Sequence, residues 1–215
     1  FAGTGSNGSA NGTTSTATFS NLRDLHLDAN GNIFIVDNNK LRKIDTDLNV
    51  TTFPTLPILN GSVRNVFADN LNDIFLSSTY GVHKITSDGY FQNIAVGQST
   101  GSQDGLAIQA SFSNPSALTL DNNGDYIIVD RGNNKIRKLT SSGTVSTFAG
   151  GGKLGNEFGL LDGSGINALF STPNGIVKDA NGNFFVTDAN CRIRKITPSG
   201  DVTLFAGGGS NGTTT

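Results

Sequence analysis

The chain lacks methionine and tryptophan altogether and carries one cysteine, two histidines and a single glutamate. Each scarcity removes a class of function. One thiol, Cys191, provides neither a disulfide framework nor a cysteine-based metal centre, and it is expected as a buried or half-buried side chain. His26 and His83 lie far apart, with no second ligand at a recognisable zinc spacing. Charged residues make up only 15% of the chain and the net charge is −2, so the basic face needed to hold nucleic acid is missing. No apolar run approaches the roughly 18 residues of a membrane helix. The expected partners are therefore proteins, with no nucleic acid, no membrane insertion and no cofactor.

What the chain has instead is turns. Glycine is 28 of 215 residues, about twice its usual share. The clearest stretch is Thr172 to Gly207, TPNGIVKDANGNFFVTDANCRIRKITPSGDVTLFAG. Three turn clusters cut it into four short strands: Ala180 to Asn183, Asp188 to Asn190, and Pro198 to Asp201. In the first, Asn181-Gly182 supplies the positive φ that a tight hairpin demands. A lone four-stranded meander cannot bury both faces, so it must stack on copies of itself.

The copies are indexed by an aspartate at the end of the first strand: Asp28, Asp69, Asp121 and Asp179, spaced 41, 52 and 58 residues apart. Three positions on come Gly31, Asn72, Gly124 and Gly182, residues tolerant of a left-handed turn. Nine positions on come Asp37, Ser78, Asp130 and Asp188. The third strands read LRKI, VHKI, IRKL and IRKI, from Leu41, Val82, Ile136 and Ile193. A constant unit with variable spacing places the insertions in the connection from fourth strand to next first strand.

The run P-x-G-I-x-x-D-x-x-G-N-x-x-V-x-D-x-x-x-R-I-R-K-I-x-x-x-G-x-V-x-x-x-A-G in Pro173 to Gly207 resembles an NHL repeat, the blade of a six-bladed β-propeller family. Pro115 to Gly150 and Leu22 to Phe53 match well, whereas in Val63 to Gly97 Ser78 and His83 replace the pattern's Asp and Arg. The resemblance implies an all-β fold, a β-propeller built of four-stranded antiparallel blades. Four such blades are expected, at about 17–56, 57–98, 110–150 and 168–207, as one propeller segment of a six-bladed ring. Residues 1–16 and 208–215 are expected as connector loops. The family includes adhesion modules, sensor domains, RNA binders and a few lyases and lactonases, so fold alone does not name an activity. Its lyases hold zinc with several histidines, and a lactonase-like calcium site would want a Glu near the channel; here the sole glutamate, Glu157, falls in a loop.

Both ends carry one element: Phe1-Ala2-Gly3 and Phe205-Ala206-Gly207. With no methionine anywhere, the sequence reads as part of a longer chain whose other blades lie elsewhere. Ala17 to Asn21, Ala110 to Asn114 and Ala168 to Thr172 repeat a third motif, whose central Phe19, Phe112 and Phe170 are expected to plug between neighbouring blades.

Three features carry possible chemistry. The repeated aspartates suit either metal rings or the capping of turns, and their Gly and Asn neighbours favour turns. Ten of the fifteen basic residues lie in or beside third strands, where charge pairing across blades is expected over a phosphate-binding band. The long connection Gly150 to Asn167 holds Lys153, Glu157, Phe158, Leu160, Leu161 and Asp162, either as a recognition loop or as a cover folded back on a blade edge. Five glycosylation sequons, at Asn7, Asn11, Asn49, Asn60 and Asn211, are expected in loops and turns; so many Asn, Ser and Thr yield that number by chance. The function expected is a non-catalytic protein-interaction scaffold, an adhesion or assembly module outside the cell or on its surface. The alternatives are a metal-dependent hydrolase or lyase completed by further blades, and an intracellular substrate-recruiting module.

Overall fold

In a computed structural model, which describes residues 1–53, 62–97, 99–155, 157–189 and 191–208, each repeat folds into its own antiparallel sheet. The first hairpin shows why. Asp28 accepts the amides of Asn30 and Asn32 at 2.9 and 2.7 Å. Asp69, Asp121 and Asp179 do the same two and four residues on. The chain then turns through Gly31, Asn72, Gly124 and Gly182 at φ 84°, 63°, 82° and 83°. These aspartates are turn caps, as their Gly and Asn neighbours predict.

The chain divides into two compact units, Phe1–Ile94 and Ala95–Thr215. In the first, β1 (Gly12–Thr13), β2 (Leu22–Leu27), β3 (Ile33–Asp37), β4 (Lys40–Ile44) and β5 (Asn49–Thr52) form a sheet in the order β1-β5-β4-β3-β2. A second sheet takes β6 (Asn65–Ala68), β7 (Ile74–Ser78), β8 (Gly81–Ile85) and β9 (Phe91–Val96) in sequence order, and the unit boundary falls within β9. Phe34, Val36 and Leu41 of one sheet pack with Val66, Ala68, Ile74 and Leu76 of the other. A smaller cluster of Ala17, Ile35, Ile44 and Val50 takes in Ala2 and Phe19 from the first twenty residues.

The second unit holds β10 (Gly105–Leu106), β11 (Ala117–Leu120), β12 (Tyr126–Asp130), β13 (Lys135–Leu139) and β14 (Thr144–Gly150), ordered β10-β14-β13-β12-β11. Its other sheet runs β15-β19-β18-β17-β16 from β15 (Gly163–Ser164), β16 (Ile176–Lys178), β17 (Phe184–Asp188), β18 (Arg192–Ile196) and β19 (Asp201–Gly207). Ile136 and Ala149 of the first sheet share one core with Ala168, Phe170, Phe184 and Val186 of the second. Phe170 thus plugs between sheets as expected. Each third-to-fourth strand pairing carries a register shift, between Ile136 and Arg137 and again between Ile193 and Arg194. Such a bulge re-aims the side chain beside it, here the arginine of the repeat.

Several expectations need correction. Short strands β1, β10 and β15 pair alongside the fourth strands β5, β14 and β19. Residues 1–16 are therefore more than connector. The first strand is buried on both faces in Ala117-Leu118-Thr119, but in β2 Leu22, Leu25 and Leu27 are exposed. There only alternate positions are covered, with His26 against Phe67 at 4.8 Å. Cys191 is exposed, not buried, since it takes the left-handed turn position (φ 56°) that Asn134 takes before β13. Among the sequons, Asn7 and Asn11 are exposed outside named strands, Asn49 opens β5 instead of lying in a loop, and Asn60 and Asn211 fall outside the described residues.

Candidate functional site

Three repeats share a buried arginine clasp. Arg42 binds the Asp37 carboxylate at 3.0 Å, Arg137 binds Asp130 at 2.8 Å and Arg194 binds Asp188 at 3.3 Å, with every one of these side chains at most 1% exposed. A charge so buried is tolerable only when its hydrogen bonds are filled. The connection preceding the first strand fills those of the two terminal nitrogens, while each Nε is left without a partner. Arg137 donates to the carbonyls of Ser111 and Gln103 and to Asp104, and Arg194 to those of Leu169 and Leu161 and to Asp162. Arg42 reaches the carbonyls of Thr18 and Ala10 together with Asn11. Each guanidinium also lies over a ring, 5.1 to 5.2 Å above Phe19, Phe112 and Phe170.

The aspartates hold the connection from the other side. Asp37 accepts the amides of Ser20 and Asn21, Asp130 that of Ser113, and Asp188 those of Ser171 and Ala189. Burial pushes the carboxyls of Asp130 and Asp188 up; these amides, Asn133 on Asp130, and the arginines pull the other way. The basic third strands thus pair within their own blade, not across blades, because the aspartate one strand back is the nearest carboxylate. Lys138 follows suit with Asp121 and Asp125.

Sequence reasoning missed Asn11, Asp104 and Asp162 as one repeated position. The signal was present: each is followed by glycine and stands six residues before the alanine of the Ala-x-Phe motif. The glycine begins β1, β10 or β15, so the Asp/Asn-Gly pair both anchors the connection and starts the extra strand.

The second repeat replaces the ion pair with a neutral chain. Ser78 Oγ and His83 Nε2 are 2.8 Å apart, and His83 Nδ1 is 2.7 Å from Asn93 Oδ1. Serine, histidine and an amide in line resemble a nucleophile with its base. Yet Ser78 and His83 are buried, and His83 stacks on Phe91 at 5.5 Å. At 0% and 2% exposure the serine and histidine are packed into the core.

The connection Gly150 to Asn167 is folded back in one part and exposed in another. Gly163-Ser164 folds back on β19, while Phe158 is 71% exposed and Lys153, Leu154 and Leu161 are exposed too. Leu160 is half-buried. Glu157 pairs with Gly151 in a β-bridge and rests its carboxylate against Gly152. Asp162 is engaged by Arg194 and by the Leu204 amide, so it is an anchor and not a recognition group. Beside this loop a cavity of about 250 Å³ is lined by Ser102, Asp104, Lys135, Thr147, Gly150, Lys153 and Ile166. Among the described residues no group of three His, Cys, Asp or Glu side chains is placed to hold a metal.

The NHL repeat family matches residues 112–139, which run from the ring beneath the arginine through the third strand. An NHL repeat is thus present in the third of the four antiparallel sheets. Human Teneurin-4 is 26% identical over 220 residues, covering 84% of the chain. The chain spans only 8% of the length of the curated relatives it matches. Among solved structures, an auxiliary nutrient binding protein from Bacteroides thetaiotaomicron superposes with a TM-score of 0.73 at 22% identity, over 89% of this chain and 50% of that one. Virginiamycin B lyase from Staphylococcus aureus superposes at 0.62 with 18% identity, over 86% of this chain and 55% of that one. At such identities the likeness is one of fold, and that fold occurs in a binding protein and in an enzyme alike.

Proposed function

We propose that these NHL blades form a non-catalytic scaffold for protein contact, an adhesion or assembly module of a larger β-propeller protein, working outside the cell or at its surface. One observation carries the reading. Phe158, Leu154 and Leu161 stand exposed on a connection held at its start by the pairing of Gly150 with Lys135 and at its end by buried Arg194, which binds the Leu161 carbonyl and Asp162. Apolar side chains held in place lose little freedom on binding, so contact area converts to affinity efficiently. Leu106, Ile108 and Ile166, on the other clasped segments of the same unit, are exposed as well. The likeness to Teneurin-4 and to an auxiliary nutrient binding protein supports this placement outside the cell or at its surface. The further blades of the parent protein and a protein partner, or a second copy, are the partners this reading requires.

The test is a double substitution, Phe158→Ser with Leu161→Ser, in the full-length protein. Binding to its partner, or its own assembly, is expected to weaken about tenfold or more, as loss of two aromatic or aliphatic anchors does. Unchanged binding would rule out the loop as the contact. The lyase-like neighbours favour a second reading, a metal-dependent enzyme completed by further blades; metal analysis of the purified full-length protein separates the two.

A further inference from the structure

We infer that the cavity above Lys135 receives a small oxyanion, a carboxylate or a phosphate, with Lys135 as its counter-charge and the glycine loop Gly150-Gly151-Gly152 as its wall. Lys135 is only 5% exposed and lines the 250 Å³ space. Among the described residues no hydrogen bond or ion pair reaches its ammonium group. Two neighbours in kind are paired: Lys40, at the same place in the first repeat, donates to Ser9 at 2.7 Å, and Lys138 has two carboxylates at 2.8 and 2.9 Å. Lys135 therefore presents an unpaired positive charge to this space.

The nearby carboxylates are already engaged. Asp130 gives one oxygen to the Ser113 amide and the other to Arg137 and Asn133. Asp104 gives one oxygen to Arg137 and the Thr147 hydroxyl and the other to the Thr147 amide. Glu157 lies against Gly152, with no ion pair to either Lys135 or Lys153 among the described residues. Burial, with the Arg137 charge beside it, holds the Lys135 amine below its ordinary value, and Asp104 and Asp130 oppose this only in part.

The loop is shaped for the lysine. A Cβ on Gly151 would stand 2.8 Å from Lys135 Cε, and Gly151 has φ 96°, so any side chain there would push the lysine out of the cavity. Ser102, Thr147 and exposed Lys153 add donors around the same space. An oxyanion would pair with Lys135 and accept from these groups, whereas a neutral ligand would leave the ammonium unmatched.

The experiment follows the isotope-labelled chain by NMR, reading the Lys135 side-chain signals and the Gly151 and Gly152 amides. Sodium phosphate and sodium acetate are titrated separately, with chloride holding ionic strength constant. Saturable shifts centred on Lys135 and Gly151 are expected with at least one anion. They should weaken by about tenfold or more in Lys135→Met, whose unbranched stem still packs on Gly151. A response to phosphate alone assigns a tetrahedral ligand, to acetate alone a planar one, and to both a site that selects charge over shape. Absence of saturation with either, shifts confined to surface Lys153, or equal shifts in Lys135→Met would overturn the inference. Should that variant fail to fold, the wild-type titrations decide alone. The result is independent of Phe158 and Leu161, so either proposal stands or falls without the other.

Discussion

At the scale of single residues, the arginine clasp makes two carboxylates on one guanidinium unequal. Asp130 is fully buried, whereas the Asp104 side chain is 47% exposed. Arg137→Ala would strand the buried Asp130, at a cost of about 3–5 kcal/mol in chemical unfolding. Arg137→Lys should recover little of it, because an ammonium cannot fill four acceptors in a plane. Asp104→Asn, by contrast, should cost less than about 1 kcal/mol, since solvent screens that pair, and Asn11 already does the same work under Arg42. The index aspartates were legible from sequence because a turn is local: capping acceptor, amides and glycine sit within four residues. Asp104 and Asp162 were harder, since their partners lie 33 and 32 residues away, and only the repeated Asp/Asn-Gly offset betrays them.

At the scale of the strand and sheet, the second repeat shows what happens without the clasp. Its connection is the shortest by the aspartate index, and histidine stands where the others hold arginine. Burial holds the His83 imidazole below its ordinary pKa, with the bond to Asn93 opposing. The unfolded chain therefore takes up that proton at higher pH than the folded one. Stability is complete above about pH 6.5, the unperturbed histidine value, and declines as pH falls through and below it. Thermal melts from pH 7 down to pH 5 should show a steeper loss for the wild type than for His83→Gln. His26, Asp130 and Asp188 titrate alike in both proteins and cancel; parallel profiles would refute the assignment. Strand content and order were legible from turn chemistry, because Asn-Gly and Ser-Gly pairs leave few alternatives. The fifth strands β1, β10 and β15 were not: two residues of Gly-Thr, Gly-Leu or Gly-Ser carry no alternating pattern to read.

At the scale of the repeats taken together, the last sheet presents a face that its predecessor hides. Thr119, Ile136 and Ala149 are buried beneath Ala168, Phe170 and the sheet that follows. Their counterparts by index, Val177, Ile193 and Ala206, are exposed, Val177 to 64%, and Phe205 is exposed beside them. Phe170→Ala, which opens the covered junction, should cost about 3–5 kcal/mol of stability. The uncovered face should make the isolated chain associate in sedimentation equilibrium. Val177→Ser with Phe205→Ser should weaken that association by tenfold or more, each such side chain being worth about 1.5–3 kcal/mol when buried. A strictly monomeric wild type would contradict it.

The arginine clasp also has an engineering consequence. Since the Lys135–Gly150 pairing and Arg194 fasten the chain on either side of the loop that bears Phe158, that loop behaves as a cassette between two rivets. Foreign peptides grafted there should alter what is captured while the β-framework stays as it is, and a library of such grafts would turn the blade into a display platform.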